Sequence, residues 1–163
     1  MRQDLRYNIG KNKESGMFGF LKNIFSSKEK KEKNIISILK DDHKRLIDIY
    51  VKIDKAMDKN DFVLAQHEVA NFVREYNKHI LLEDTQLYVA LEEKYQDKKH
   101  ILKTIKAISK DMNAITRAIT FFERKYKEIN YNNRDIFMEE FKHIGSVLTQ
   151  RVELEEERLY PLL

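Results

Sequence analysis

The feature that most constrains this chain is what it lacks. It has one proline and four glycines in 163 residues, and three of those glycines fall before residue 20. Glycine and proline are the residues that most disfavour a helix interior, so long stretches hold nothing that breaks a helix. From residue 34 onward, apolar residues recur at alternating spacings of three and four, the pattern of a helix with one buried face. Four such segments are predicted: helix A over 34–58, helix B over 61–95, helix C over 98–129 and helix D over 133–161. Between them lie Asp58-Lys59-Asn60-Asp61, Gln96-Asp97-Lys98 and Asn130 to Asn133, short runs rich in the turn and cap formers Asn and Asp. Short connections make neighbouring helices antiparallel. The expected fold is therefore all-α, an up-down-up-down four-helix bundle over residues 34–163, about one domain's length and enough to bury a core.

Residues 1–33 read as a basic tail. They carry nine Lys/Arg and four Asp/Glu, a net of +5 against +4 for the whole chain, which leaves residues 34–163 near −1. The bundle is thus not basic, and no clustered face of the kind that binds nucleic acid is evident. Within the tail, Phe18, Phe20, Leu21, Ile24 and Phe25 lie beside lysines. They suit either a short amphipathic helix that touches a membrane or a partner protein, or a cap over one end of the bundle. SSKEKKEK reads as a solvated linker, and Met17 as an alternative start. The chain has no cysteine, which removes disulfides and thiolate metal sites and fits a reducing compartment. No apolar run approaches the roughly 20 residues that span a bilayer and no signal-peptide pattern opens the chain, so the cytoplasm is the expected address.

The stripes carry the chemical information. Helix A has Ile35, Leu39, Leu46, Tyr50, Ile53 and Met57, with His43 filling a gap; helix B has Val69, Phe72, Tyr76, Leu87 and Ala90, with His79 and Glu83 in its gap. Helix C is apolar throughout, from Ile101 through Met112 to Tyr126, whereas helix D sets Arg151 and Glu155 on the same face as Phe137, Phe141, Ile144, Leu148 and Leu159. A polar group on a core stripe is informative, because burying it without a partner costs on the order of 1 to 3 kcal/mol. In an up-down bundle these five residues fall within a few turns of one end, so they can meet in one layer. His67 and His100 lie off the stripes in charged surroundings, and His143 is about two turns from Arg151. Tyr50 and Tyr76 are expected to fill the core, with hydroxyls that could reach the polar layer.

His79 and Glu83 are four apart and share a helix face, as paired metal ligands in bundle cores do. Helix D repeats the phrase: HILLEDTQLYVAL from His79 matches RVELEEERLYPLL from Arg151, with Glu83 opposite Glu155 and Leu87-Tyr88 opposite Leu159-Tyr160. The decisive difference in this internal repeat is Arg for His. With DDHKRL on helix A, H-x-x-x-ED-x-x-LY on helix B and EEERLYPLL on helix D, residues 34–163 resemble the hemerythrin-like HHE cation-binding family. That resemblance implies a di-iron centre held by histidines from all four helices and two bridging carboxylates. Carried over by motif, His43, His79, Glu83 and Glu155 match ligand positions. Arg151 stands where the helix D histidine belongs, and Asp111-Met112 stands where the family shows Glu-His on helix C; Thr116, one turn on, cannot replace a histidine. As the resemblance implies, one iron takes the histidines of helices A and B and the other those of C and D, so this chain keeps one set and lacks the other.

Two arrangements are compatible with the retained set. In one, a single ion, iron foremost, sits on two imidazoles and two carboxylates, a ligand set acceptable to Fe, Mn or Zn. In the other, Arg151 pairs with Glu83 and Glu155 in a metal-free ionic core. The first implies a metal-binding sensor or regulatory protein, not a di-iron oxygen carrier. The second has a counterpart in the anti-sigma factors of the Rsd/AlgQ kind, helical bundles that helix D resembles at Ile144-Gly145, Leu148, Arg151 and Leu154-Glu155-Glu156, with His79 at that family's helix B histidine. Its partner would be a sigma factor of RNA polymerase. No nucleophile with an adjacent base, phosphate-binding loop or cofactor fingerprint occurs, so no enzyme is expected.

Overall fold

In the computed structural model residues 14–163 are described, with side chains for residue 28 and residues 30–163. The tail's aromatic cluster, Phe18 to Phe25, and Met17 lie outside the described side chains, and so does the expectation that they meet a membrane, a partner or the bundle end. The chain divides into two units, Met1–Asn34 and Ile35–Leu163, and the bundle is the second.

The elements are α1 (Glu14–Asp58), α2 (Phe62–Leu82), α3 (Tyr88–Lys94), α4 (Lys99–Lys125) and α5 (Arg134–Leu154). A π-helical turn, Glu83–Leu87, joins α2 to α3; a second, Glu155–Leu159, comes after α5 and leads into a short 3-10 turn, Tyr160–Leu162. There is no strand among the described residues, and the fold is an all-α four-helix bundle in which α2 and α3 form one rod. Two boundaries differ from the sequence reading. SSKEKKEK is helical, because lysine and glutamate are good helix formers and nothing in the run breaks one, and its described lysines are exposed. Helix C ends at Lys125, with Tyr126 at the cap, before the turn residues begin.

Contacts place the helices in register. On α1 and α5, His43 meets Glu155 while Tyr50 donates to the Phe141 carbonyl at 3.3 Å; on α2 and α4, Gln66 donates to the Lys127 carbonyl at 2.6 Å while Tyr76 meets Thr116 at 3.1 Å. In each pair the residue number rises on one helix as it falls on the other. The first turn is tied by its own chemistry. Asn60 takes a left-handed conformation (φ 56°), which asparagine tolerates better than most residues, and Asp61 caps α2 by accepting from the Leu64 amide at 3.1 Å.

The core comes in two apolar clusters. The larger runs from Leu46, Ile53 and Met57 through Val69, Phe72 and Tyr76 to Met112, Phe122, Phe137 and Phe141; the smaller gathers Ile35, Leu39, Leu87, Leu91, Ile105 and Leu159. On α1, on the α2–α3 rod and on α5, the residues between the two clusters are the polar ones found on the stripes. Phe137 anchors the larger cluster, edge-on to Tyr126 at 5.0 Å and close to Phe122 at 5.2 Å and Phe141 at 5.6 Å between ring centres. Phe137→Ala removes a fully buried ring and should destabilise the bundle by about 3 to 5 kcal/mol, read as a shift in denaturant midpoint at unchanged slope.

Candidate metal centre

The five polar residues of the stripes are all buried, from fully buried Glu83 to Arg151 at 7% exposure. His43 comes from α1 and His79 from the last turn of α2; Arg151 comes from the last turn of α5, and Glu83 and Glu155 each open a π turn. The Tyr88 amide donates to the Glu83 carbonyl, and the Tyr160 amide to the Glu155 carbonyl, five residues back in each case. The two halves of the internal repeat thus share this widening, a departure from the α-helix that is frequent at functional sites. It turns consecutive residues inward in both places: Leu87 with Tyr88, and Leu159 with Tyr160, all buried.

Glu155 is the hub. Its Oε1 accepts from Arg151 Nε, and its Oε2 lies 3.1 Å from His43 Nε2. His43 Nδ1 in turn lies 2.8 Å from Glu156 Oε1, so the imidazole spans two carboxylates. Arg151 spends its remaining reach on the Ile108 carbonyl at 3.1 Å and the Tyr88 hydroxyl at 2.7 Å. Tyr160 does the converse: its hydroxyl donates to Glu83 Oε1 at 3.2 Å and stands 3.3 Å from His43 Nε2. The tyrosine of each half therefore crosses to the other. His79 is the loosest member, with Nε2 3.7 Å from Glu83 Oε1 and Nδ1 3.8 Å from Asp42 Oδ2, both too long for a hydrogen bond. His79 Nδ1 and Glu83 Oε2 are left without any partner.

Burial is the leading influence on every one of these groups, and the neighbouring charges and hydrogen bonds decide the net direction. Burial and the negative Glu155 push Glu83 up to about 8, so it holds its proton at neutral pH. Burial and the neighbouring His43 push His79 down to about 4, so it is neutral. Burial works against a charged His43, but the hydrogen bonds to Glu155 and Glu156 outweigh it and raise its pKa. It also works against a charged Glu155, yet His43 and Arg151 hold that carboxyl below the usual range. Two cations, Arg151 and His43, are matched by two carboxylates, Glu155 and Glu156.

Three of these residues are close enough to hold a metal ion together. Ligand atoms of His43, His79 and Glu155 lie within 4.8 Å of one another. Around an ion at about 2.1 Å, opposite ligand atoms are at most about 4.2 Å apart, so a small side-chain contraction closes the set. Glu83, which the motif also singled out, lies outside that group, and its Oε2 has no hydrogen-bond partner. Helix C contributes no ligand: Asp111 is exposed, Thr116 bonds Tyr76 and the Met112 carbonyl, and only the Ile108 carbonyl reaches the layer. His67, His100 and His143 are exposed, and Tyr50 bonds the α5 backbone, not the layer. Sequence reasoning missed Tyr88, Tyr160 and Glu156, although the repeat already set Tyr88 opposite Tyr160.

A family model, the hemerythrin HHE cation-binding domain, matches residues 34–163. The chain belongs to the hemerythrin HHE family. No curated protein and no solved structure matches it. As a hemerythrin-like domain the bundle is a metal-binding fold, and the His43, His79 and Glu155 group is where its described residues could hold a cation.

The pKa shifts give the metal-free domain a definite pH behaviour. Between pH 4 and 6.5, His79 stays neutral when folded but charges when unfolded, so it makes stability rise with pH. From 4.5 to about 8, the folded protein keeps a Glu83 proton that the unfolded chain has lost, so stability falls as pH rises. The two oppose each other below 6.5; above it Glu83 acts with His43, whose raised pKa has the same sign. In EDTA, the thermal midpoint should fall from pH 6.5 to 8, and Glu83→Gln should flatten that fall. A midpoint that climbs over this interval would refute the assigned protonation.

Proposed function

We propose that this hemerythrin-like domain binds one metal ion, iron foremost, on His43, His79, Glu83 and Glu155, and acts as a cytoplasmic sensor or regulatory protein, not as an enzyme or a di-iron oxygen carrier. The observation that carries the reading is the division of Glu155: Arg151 takes one oxygen, and the other faces the imidazole of His43. A fixed guanidinium occupies the side of the carboxylate where the family resemblance puts the second iron. It supplies positive charge there permanently, so a second cation would meet like charge in a buried layer.

For one ion the chain's own groups have plain duties. With the proton between His43 and Glu155 released to solvent, His43 would hold the ion through Nε2, while Glu156 keeps Nδ1 oriented, the usual outer carboxylate of a metal-bound histidine. Glu83 would bind after its proton too is released to solvent, and Tyr160 would hold its other oxygen in place. Arg151 keeps Glu155 ionised. Iron held on such nitrogen and oxygen donors supplies a Lewis-acidic, redox-active centre. No helix among the described residues is long and apolar enough to cross a membrane, and the lack of cysteine suits a reducing compartment.

A second reading rests on the same salt bridge. Arg151 is fully engaged by Glu155, Tyr88 and Ile108 without any metal, which supports a metal-free interaction protein of the Rsd/AlgQ anti-sigma kind. Elemental analysis separates the two. Protein expressed with iron and purified without chelators should carry about one iron per chain, and His79→Ala and Glu83→Ala should each strip it. Arg151→Leu should leave the ion but cost the metal-free form about 3 to 5 kcal/mol, because Glu155 keeps a buried charge and loses its cation. Stable, metal-free wild-type protein would overturn the first reading and direct the search to a protein partner.

A further inference from the structure

Beside the polar layer lies a cavity of about 350 Å³ whose floor is shared with three of the candidate ligands, His43, His79 and Glu155. Its walls are apolar, with Leu46, Tyr50, Phe72, Tyr76, Met112 and Leu148 prominent, and its floor includes His43, His79, Arg151 and Glu155. Ile47, Thr149 and Glu153 also line it and are exposed, so it opens to solvent between α1 and α5. Protein interiors are packed to crystal-like density, and a void of this size in a bundle calls for an explanation.

The space is built in by a specific pair. Tyr50 stacks on Phe141 at 4.1 Å between ring centres and lies flat against α5 at Gly145. A Cβ at Gly145 would stand 2.6 Å from Tyr50 Cζ and 2.8 Å from Cε2, closer than atoms can pack, so only glycine lets the ring lie there. Glycine at the one interior position of α5 where it is found thus serves the cavity wall.

Size, polarity and charge narrow the occupant. A cavity of roughly 150 Å³ holds one benzene, and a water's share of liquid is about 30 Å³. At about 350 Å³ the space exceeds a diatomic gas many times over and suits about two rings. Ordered water is a poor filler, since it needs two to four polar partners and the walls offer almost none. The charges on the floor are already matched, Arg151 with Glu155 and His43 with Glu155 and Glu156, which leaves no counter-ion for a charged head. The floor offers a ligand no free polar atom: the unpartnered His79 Nδ1 is sealed from the cavity and lies nearest Asp42, outside the lining.

We propose that this cavity binds a neutral, largely hydrocarbon molecule of two-ring size, held by its apolar walls. The site stands on the cavity alone and is open to test with or without metal. 2-Naphthol should bind the full chain saturably, one per chain, by calorimetry, both in EDTA and after iron loading, with metal content measured in each sample. Naphthalene should bind within a few-fold of 2-naphthol, since the walls are apolar, and naphthalene-2-sulfonate should not bind. Bound 2-naphthol should shift the Met112 methyl resonance through its ring current. Leu148→Trp and Val152→Phe fill the space and should abolish binding while keeping the wild-type helical signal. Absence of saturable binding, binding with no shift at Met112, or full binding by a folded Leu148→Trp variant would overturn the site. Saturable binding of naphthalene-2-sulfonate would overturn the neutral occupant.

Discussion

The constraint on which this bundle depends is the burial of two carboxylates in one layer. Two negative charges in a low-dielectric core cannot coexist unpaired, since each costs several kcal/mol to desolvate. The protein treats them differently. Glu83 keeps a proton and a tyrosine hydroxyl; Glu155 stays ionised between a guanidinium and an imidazole. This assignment dictates the remaining positions. The layer must sit between two apolar clusters, and three of the helical rods must interrupt their stripes at matching heights.

Arg151 explains how the family's fold persists with part of its ligand set missing. A histidine replaced by an apolar residue would leave Glu155 facing hydrocarbon, and a lone buried carboxylate would take up a proton or open the helix pair. A guanidinium instead replaces part of the positive charge an ion would bring. It also fixes Tyr88 and ties α5 to the α4 backbone at Ile108. Arg151 thus preserves the architecture around the layer.

Much of this was legible in the sequence because it depends on helical periodicity. The gaps in three stripes singled out His43, His79, Glu83, Arg151 and Glu155, and the structure brings all five together in one buried layer. The sequence set Arg151 against both Glu83 and Glu155; in the structure it bonds Glu155, while Glu83 is met by the Tyr160 hydroxyl instead. Other features were not legible. Periodicity describes an ideal helix, so the two π turns read as continuous helix, and Tyr88 and Tyr160 looked like ordinary stripe-edge aromatics. Glu156, one residue from Glu155, sits off the stripe and reaches His43 only through the side chain's length. The void beside Tyr50 is a property of packing in three dimensions, for which Gly145 was the single sequence clue.

The paired π turns also set a rotational phase. Each residue of an α-helix advances about 100° around the axis, and each π turn accommodates an additional residue within its widened loop. Everything beyond Glu83 and beyond Glu155 is therefore rotated relative to a straight continuation of α2 or α5. That offset lets Tyr88 and Tyr160 point back across the layer at the opposite half. The centre and the end of the bundle beyond it are in this sense geared together: a change that ironed either turn into regular helix would swing a tyrosine away from its partner, although every ligand remained in the sequence.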